Sequence, residues 1–248
     1  MKAALRMWKN TRMVILVAVC SAIYGAALIA FKATIPLIPG ITEVRVANMF
    51  PMVFSLLFGP AGAWGSAIGN LIGDLFGGTL GPGSFPGFVG NFLLGYLPYT
   101  LWTTLLPLSG GSREWKPENW RCWINYGLIA FTSSAACAVV IGIAIDALGI
   151  VPYAILTKVI TLNNTFASLI GIILLASVFN ITQQQLGLFW PDVMDEEDSR
   201  TPPLAPVGAW IVTVASLVGL MGGMVTNLPA TTIGWACALA IIAGSLLL

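Results

Sequence analysis

Residues Phe58–Trp102 read FGPAGAWGSAIGNLIGDLFGGTLGPGSFPGFVGNFLLGYLPYTLW, and this stretch decides the fold class. It places Asn70, Asp74 and Asn91 inside glycine-rich apolar segments. A carboxylate close to hydrocarbon is costly unless a cation, a hydrogen-bond network or a proton compensates for it. The whole chain is 57% hydrophobic and 8% charged, and its mean hydropathy is +0.89. This composition predicts an integral membrane protein.

The apolar segments along the chain predict an all-α, polytopic membrane bundle with a six-helix core and a C-terminal pair of transmembrane helices. A helix needs about 20 residues to cross a bilayer, so a chain of this length holds up to about eight of them. The second span is short and the sixth is long, which indicates a tilted or interfacial helix and one that extends past the bilayer. The predicted spans are Thr11–Ala33, Ala47–Phe58, Gly62–Gly78, Gly87–Leu106, Cys122–Leu148, Pro152–Ile181, Pro206–Thr226 and Ala230–Leu248.

A polar segment, Gln183–Pro206, separates the core from the C-terminal pair. It carries an acidic run at positions 195–198, which is typical of a solvated linker, with a docking surface as the alternative. The pair is expected to be peripheral to ligand binding, because its first span has no charged residue. The predicted organisation is a substrate-binding core at residues 1–182, an acidic cytoplasmic linker at 183–205 and a transmembrane pair at 206–248.

Basic residues favour one orientation in the membrane. Four of them, at positions 2, 6, 9 and 12, precede a first apolar run that is too long for a signal-peptide core. Counting loops alternately from a cytoplasmic N-terminus puts eight basic residues inside and leaves three, Lys32, Arg45 and Lys158, outside or within the membrane. This excess agrees with the positive-inside rule. We therefore expect a multi-pass protein of the inner or plasma membrane with both termini in the cytoplasm.

Several kinds of chemistry are excluded by what the sequence lacks. The chain has no histidine, which rules out His-ligated haem, H-E-x-x-H zinc sites and Ser-His-Asp catalysis. The four cysteines, at positions 20, 122, 137 and 237, have no partner at metal-ligand spacing and are interpreted as apolar filler. No G-x-x-x-x-G-K-[ST] sequence occurs, so ATP hydrolysis would come from a partner. We expect no catalytic residue, metal, cofactor or nucleic acid.

Charged, amide and aromatic side chains gather toward the predicted outer face of the core. A pocket open to the outside would use such a set, whereas salt bridges that only close the bundle ends, such as Asp146 with Lys158, would use part of it. The loop Thr79–Gly87, rich in glycine and proline, is either a tight connection or a lid over the pocket. The candidate substrate-binding residues are Glu43, Arg45, Asp74, Asn91, Tyr96, Asp146, Lys158, Asn163 and Asn164.

Small residues recur every four positions in the first span. This spacing places their methyl groups in one stripe and lets another helix approach closely. The stripe packs either inside this chain or against a partner protein in the bilayer. Its members, the candidate partner-docking residues, are Ala18, Ala22, Ala26 and Ala30.

The segment Leu57–Asp74, LFGPAGAWGSAIGNLIGD, is a glycine-rich helix that ends in aspartate. With the alanine stripe and a proline-bearing outer loop before it, this segment resembles the substrate-binding S components of energy-coupling-factor (ECF) transporters, the vitamin and micronutrient importers of prokaryotes, over about residues 10–180. The resemblance implies a six-helix bundle that binds substrate near the outer face, beneath the loops after helices 1 and 3. It also implies that helix 1 docks on a transmembrane coupling protein driven by two ATPase subunits. The pair at 206–248 departs from this pattern.

The leading hypothesis is therefore an S component that captures a vitamin-like small molecule within membrane lipid. A membrane-embedded enzyme acting on lipid is one alternative, but Asp74 and Asp146 alone do not form a catalytic site. A non-catalytic channel or assembly protein is the other alternative. A channel would carry rings of repeated polar residues or a symmetric repeat, and the sequence has neither.

Overall fold

The computed structural model describes residues 1–31, 45–105, 112–116, 118–225 and 228–248, and the backbone alone of residues 36–38 and 42–43. The strands β1 (Pro36–Ile38) and β2 (Thr42–Glu43) pair antiparallel. Three helices are short: α1 (Lys2–Arg6), α8 (Trp190–Val193) and α9 (Glu196–Ser199). The longer helices are α2 (Thr11–Phe31), α3 (Met49–Phe58), α4 (Pro60–Phe76), α5 (Ser84–Thr104), α6 (Trp120–Ala147), α7 (Tyr153–Asn180), α10 (Ala205–Val225) and α11 (Ala230–Leu247).

These helices confirm the predicted class, an all-α polytopic membrane bundle. Each predicted span coincides with one longer helix, and the short second span is the ten-residue α3. Among the described residues, five helical stretches are long and apolar enough to cross a membrane. They are Thr11–Phe31, Trp120–Ala147, Tyr153–Val193, Ala205–Val225 and Ala230–Leu247. The chain also forms the short β1–β2 hairpin, in the loop between α2 and α3, which the sequence did not predict.

Local sequence signals set the helix ends. The side chain of Asn10 accepts hydrogen bonds from the backbone N–H groups of Arg12 and Met13, which otherwise lack partners in the first turn of α2. Gly59 separates α3 from α4 with a φ of 52°, a conformation that favours glycine. Pro60 then occupies the first helical position of α4, where its missing N–H costs nothing. The break between the two helices is therefore a single residue long.

The glycine stripe on α4, formed by Gly65, Gly69 and Gly73 at four-residue spacing, lets α2 approach its backbone. A Cβ added to Gly65 would clash with Cys20 Cβ, and one added to Gly73 would lie 2.9 Å from Leu28 Cδ1. Contacts this close leave no room for larger side chains, so the stripe explains how two helices in lipid gain van der Waals contact. The α2–α4 pair thus positions one side of the bundle.

Alanine at position 65 will destabilise the protein, because its methyl group has no space against Cys20. We expect the unfolding free energy to fall by about 1–3 kcal/mol, the usual cost of overpacking. Gly127 on α6 is the matched control, because nothing lies within 4 Å of a Cβ added there. Thermal unfolding in detergent measures both variants. An unchanged melting temperature for Gly65→Ala would contradict the close α2–α4 packing.

The C-terminal pair packs against the outside of α6. A Cβ added to Gly219 of α10 would lie 2.7 Å from Val139 Cγ2 of α6. Within the pair, Gly208 of α10 faces the backbone of Gly244 of α11. Because α6 is covered on both sides, 78% of its most apolar 18-residue stretch is buried, against 39% of the corresponding stretch of α2. The pair therefore adds a second layer behind one wall of the core.

The segment between core and pair packs against the end of the bundle that holds both termini. The Arg6 guanidinium donates to Asp198 Oδ1 at 2.9 Å, and Asn10 Nδ2 donates to the Val193 carbonyl at 2.9 Å. The ring of Trp190 lies directly against Gly59. The other acidic side chains of the run at positions 195–197 are exposed.

Candidate functional site

A cavity of about 420 Å³ lies at the opposite end of the bundle, where α2, α4 and α6 end. This end is called the pocket end below. The volume lies within the range of small-molecule sites, about 300–1,000 Å³. Residues from α4, α5, α6, α7 and the loops at this end line it. They are Arg45, Asn48, Asn70, Asp74, Thr79, Gly81, Pro82, Gly83, Ser84, Gly87, Asn91, Cys137, Ile141, Ile145, Ile150, Leu156, Ile160, Asn163 and Asn164.

One wall of the cavity carries charge. Asn70 and Asp74 lie one turn apart on α4, and Asn70 Nδ2 donates to Asp74 Oδ2 at 3.3 Å. Arg45 Nη1 donates to the other side of the same amide, Asn70 Oδ1, at 3.3 Å. The amide thus connects the guanidinium to the carboxylate, and this network supplies the compensation that a carboxylate at this depth requires.

A buried network of amides forms the floor. The Tyr24 hydroxyl lies 2.8 Å from Asn48 Oδ1 and 2.9 Å from Asn91 Oδ1. Asn48 Nδ2 donates to Asn164 Oδ1 at 2.6 Å, and Asn164 Nδ2 donates to Cys137 Sγ at 3.6 Å. These contacts join α2, α5, α6, α7 and the turn before α3. Because each amide is held by a neighbour, the floor presents its remaining polar atoms in fixed directions.

The second wall is apolar. It consists of branched side chains from the end of α6, the following turn and the start of α7: Ile141, Ile145, Ile150, Leu156 and Ile160. Ile145, Val151 and Leu156 form one buried cluster against which Ile141 and Ile160 pack. The cavity therefore has the composition expected of a ligand site, mostly apolar with a few oriented polar groups.

The loop between α4 and α5 forms the rim. The Gly78 backbone has a φ of 71°, and the Gly81 N–H donates to Ser84 Oγ at 3.2 Å. The Ser84 N–H returns a bond to the Gly81 carbonyl at 2.9 Å. The loop is thus a tight connection. Six residues of the segment Thr79–Gly87 line the cavity, four from the loop and two, Ser84 and Gly87, from the start of α5.

Five of the nine candidate substrate-binding residues line this cavity. They are Arg45, Asp74, Asn91, Asn163 and Asn164. Asn163 also accepts a hydrogen bond from the Arg45 N–H at 3.2 Å, which connects α7 to the turn before α3. Only the backbone of Glu43 is described, and its side chain lies outside the described residues.

The structure places the other three candidates away from the cavity. Tyr96 lies five residues after Asn91, about 7.5 Å further along α5, and its hydroxyl donates to the Ser245 carbonyl at 3.2 Å. Asp146 caps α7 instead, since its Oδ1 accepts from the Tyr153 N–H at 2.9 Å. Lys158 is partly buried and does not line the cavity. Within the described residues, Asp146 and Lys158 form no ion pair.

Sequence reasoning missed several residues of the site. Asn48 and Cys137, the latter interpreted as apolar filler, line the cavity, and Tyr24 lies behind the floor and bonds to Asn48. Asn70, which is not among the candidate substrate-binding residues, lies in the charged wall. One signal was present for Tyr24, a polar side chain inside an apolar span that needs a hydrogen-bond partner. Nothing in the sequence distinguishes Cys137 or the apolar wall from ordinary core.

The four alanines of the first span lie together on the exposed side of α2: Ala18, Ala22, Ala26 and Ala30. The opposite side of this helix, which includes Cys20 and Tyr24, is buried against α4. The stripe therefore does not pack inside this chain. Its surface is flat and apolar.

One of three comparisons with known proteins finds a match. No curated protein and no solved structure matches the chain. The QueT transporter family matches residues 14–180, which is more than half of the chain and includes every residue that lines the cavity. Its transporter description accords with a membrane bundle that encloses a small-molecule cavity. The chain belongs to the QueT transporter family, and it is an S component of the ECF type.

Proposed function

We propose that this protein captures a queuosine precursor, a 7-deazaguanine base, in the cavity at the pocket end. The description of the family as a queuosine precursor transporter supports this substrate class. The observation that carries the proposal is the pairing of one charged, amide-rich wall with one apolar wall around about 420 Å³. A planar heterocycle has two apolar faces and a polar edge, so it needs both kinds of wall.

The apolar faces of the base lie against the branched wall formed by α6 and α7. Isoleucine and leucine side chains remove the ring faces from water, which is favourable at about 25 cal/mol per Å² of buried apolar surface. The polar edge then points toward α4 and α5. A guanine-type edge offers a ring N–H and an exocyclic amine as donors and a carbonyl as acceptor.

The Asp74 carboxylate suits the donors of this edge, because one carboxylate accepts two parallel N–H groups. Amide and guanidinium groups suit the carbonyl. Asn91 and Asn164 lie on the floor within the same cavity, and Arg45 reaches it from the turn before α3. The pairing resembles direct recognition of a guanine edge by charge-assisted hydrogen bonds.

The pocket end faces the outside of the cell in this proposal, with both termini in the cytoplasm. Eight of the eleven basic residues lie in segments at the end opposite the cavity, which agrees with the positive-inside rule. The cavity then opens toward the medium from which a nutrient is taken up. The membrane is the inner or plasma membrane of the cell.

The alanine stripe on α2 docks on a transmembrane coupling protein that works with two ATPase subunits. Exposure of all four alanines supports this role, since in lipid close backbone contact is the main source of helix association. The C-terminal pair packs on α6, so it leaves this face of α2 open. The chain binds substrate, and its partners supply the energy.

Thermal unfolding of the purified protein with 7-aminomethyl-7-deazaguanine and 7-cyano-7-deazaguanine tests the substrate class. We expect at least one of them to raise the melting temperature, because a ligand that binds only the folded state stabilises it, by about 2.7 kcal/mol at 100 times its Kd. Thiamine and biotin serve as control ligands and should have no effect. No shift with either deazaguanine, or an equal shift with thiamine, would refute the assignment.

A further inference from the structure

The C-terminal pair lies outside the residues that the family match covers, yet it contacts the back of the apolar wall. Among the described residues, none from α10 or α11 lines the cavity. The pair nevertheless packs on α6 and reaches α7. The contact with α7 includes Tyr153, the first residue of that helix.

Tyr153 connects the pair to the turn between α6 and α7. Its side chain is buried, and its hydroxyl donates to the Gly219 carbonyl of α10 at 2.6 Å. Its backbone N–H donates to Asp146 Oδ1 at 2.9 Å. One residue thus joins the C-terminal pair, the end of α6 and the start of α7.

Glycines in the pair make room for this ring. A Cβ added to Gly234 of α11 would lie 2.9 Å from Tyr153 Cζ and 3.1 Å from Ile143 Cδ1. The ring of Tyr153 is therefore held between α10, α11 and α6, and any larger side chain at position 234 would displace it. Tight packing of this kind transmits small displacements to neighbouring residues.

The residues on both sides of Tyr153 form the apolar wall. Ile150 precedes it by three positions and Leu156 follows it by three, and both line the cavity. The Ile150 N–H donates to the Ile145 carbonyl at 3.2 Å, and the Leu156 N–H donates to the Pro152 carbonyl at 3.2 Å. A helix start that is fixed at Tyr153 therefore fixes the direction of these side chains.

We propose that α10 and α11 position the apolar wall of the cavity through Tyr153. Tyr153 is a positioning residue, since it acts through Ile150 and Leu156 and does not line the cavity itself. The substrate affinity then depends on two helices that do not contact the substrate. The part of this inference that concerns affinity rests on the proposed function. The C-terminal pair lies outside the cavity, but it influences the substrate affinity.

Two variants of the full chain test this role. Tyr153→Phe keeps the ring and removes the bond to Gly219, and Gly234→Val pushes the ring from its place. Gly208→Val is the matched control. This substitution crowds the same helix pair, because a Cβ at position 208 would lie 2.6 Å from the Gly244 carbonyl. The crowded position is about 16 Å along α10 from Gly219.

Two measurements are made on each variant. Hydrogen exchange without ligand follows the amides of residues 149–156, and calorimetry gives the Kd of 7-aminomethyl-7-deazaguanine. We expect Tyr153→Phe and Gly234→Val to speed exchange and raise the Kd by about fivefold, the scale of one hydrogen bond. Gly208→Val should leave both quantities within about twofold of wild type, because a Cβ at position 208 meets Gly244, Leu247 and Leu248 of α11 and its end, far from Tyr153.

Two results would overturn the inference: unchanged exchange and Kd in both variants, or an equal effect of Gly208→Val, which would indicate general loosening of the pair. Failure of the proposed function is distinguishable. If the wild-type protein binds no deazaguanine, the substrate assignment is wrong, and the exchange rates alone decide whether Tyr153 positions the wall.

Discussion

Replacing Ala22 and Ala26 by tryptophan is expected to abolish transport while the isolated protein still folds and binds its ligand. Both alanines are exposed on α2, so an indole there meets only lipid in the isolated chain. In the assembled transporter the same ring would separate two helix backbones that need close contact. Loss of about 1.4 kcal/mol already lowers association tenfold, and two rings should cost more than one such step.

Uptake of the labelled precursor in cells measures transport, and ligand binding by the purified variant shows that the isolated protein still folds and binds. Ala176→Trp is the matched control, because Ala176 is an exposed alanine on α7, a helix that packs mainly against α6 and α3. It should transport normally. If the double variant unfolds in isolation, the stripe supports the bundle itself. If uptake is unchanged, the stripe is not the docking face.

Replacing Asp74 by alanine is expected to weaken ligand binding about tenfold or more, which corresponds to ~1.4 kcal/mol. The carboxylate lines the cavity and accepts from Asn70, which in turn accepts from Arg45, so its removal takes away an acceptor and the only negative charge of this network. Asp74→Asn keeps the size and one acceptor, and we expect it to lose less affinity than the alanine variant.

Calorimetry or thermal shift on purified variants measures these affinities. Glu197→Ala provides the control, since Glu197 is an exposed carboxylate at the other end of the bundle. It removes the same charge from the chain without touching the cavity. A folded Asp74→Ala variant that binds as tightly as the wild type would show that the carboxylate takes no part in recognition.

The membrane class and the helices were predictable from the sequence. About 20 consecutive apolar residues can satisfy their backbone hydrogen bonds in lipid only as a helix, so hydropathy identifies them without knowledge of the fold. Helix ends were predictable to a few residues, because Gly59 and Pro60 are strong local signals. The β1–β2 hairpin was missed, because its two short strands lie in a loop between spans.

The candidate site was predictable in part. Asp74, Asn91 and Asn164 were identified as candidate binding residues because a polar group in hydrocarbon is costly without a partner. Tyr96 met the same criterion but lies too far along α5, where it bonds to the Ser245 carbonyl. Asp146 met it as well and caps a helix. Polarity alone therefore identifies residues that need a hydrogen-bond partner. It does not distinguish a ligand from another group of the same chain.

By itself, the sequence determined that this protein spans the membrane, where its helices run and which helix carries a stripe of small residues. These properties depend on residues a few positions apart. Only the tertiary structure decided that Tyr24 meets Asn91, 67 positions away, and that Asn48 meets Asn164, 116 positions away. It also decided that the C-terminal pair lies behind the apolar wall. Such contacts depend on how each helix is rotated and packed, and one residue of rotation, about 100°, moves a side chain to another face.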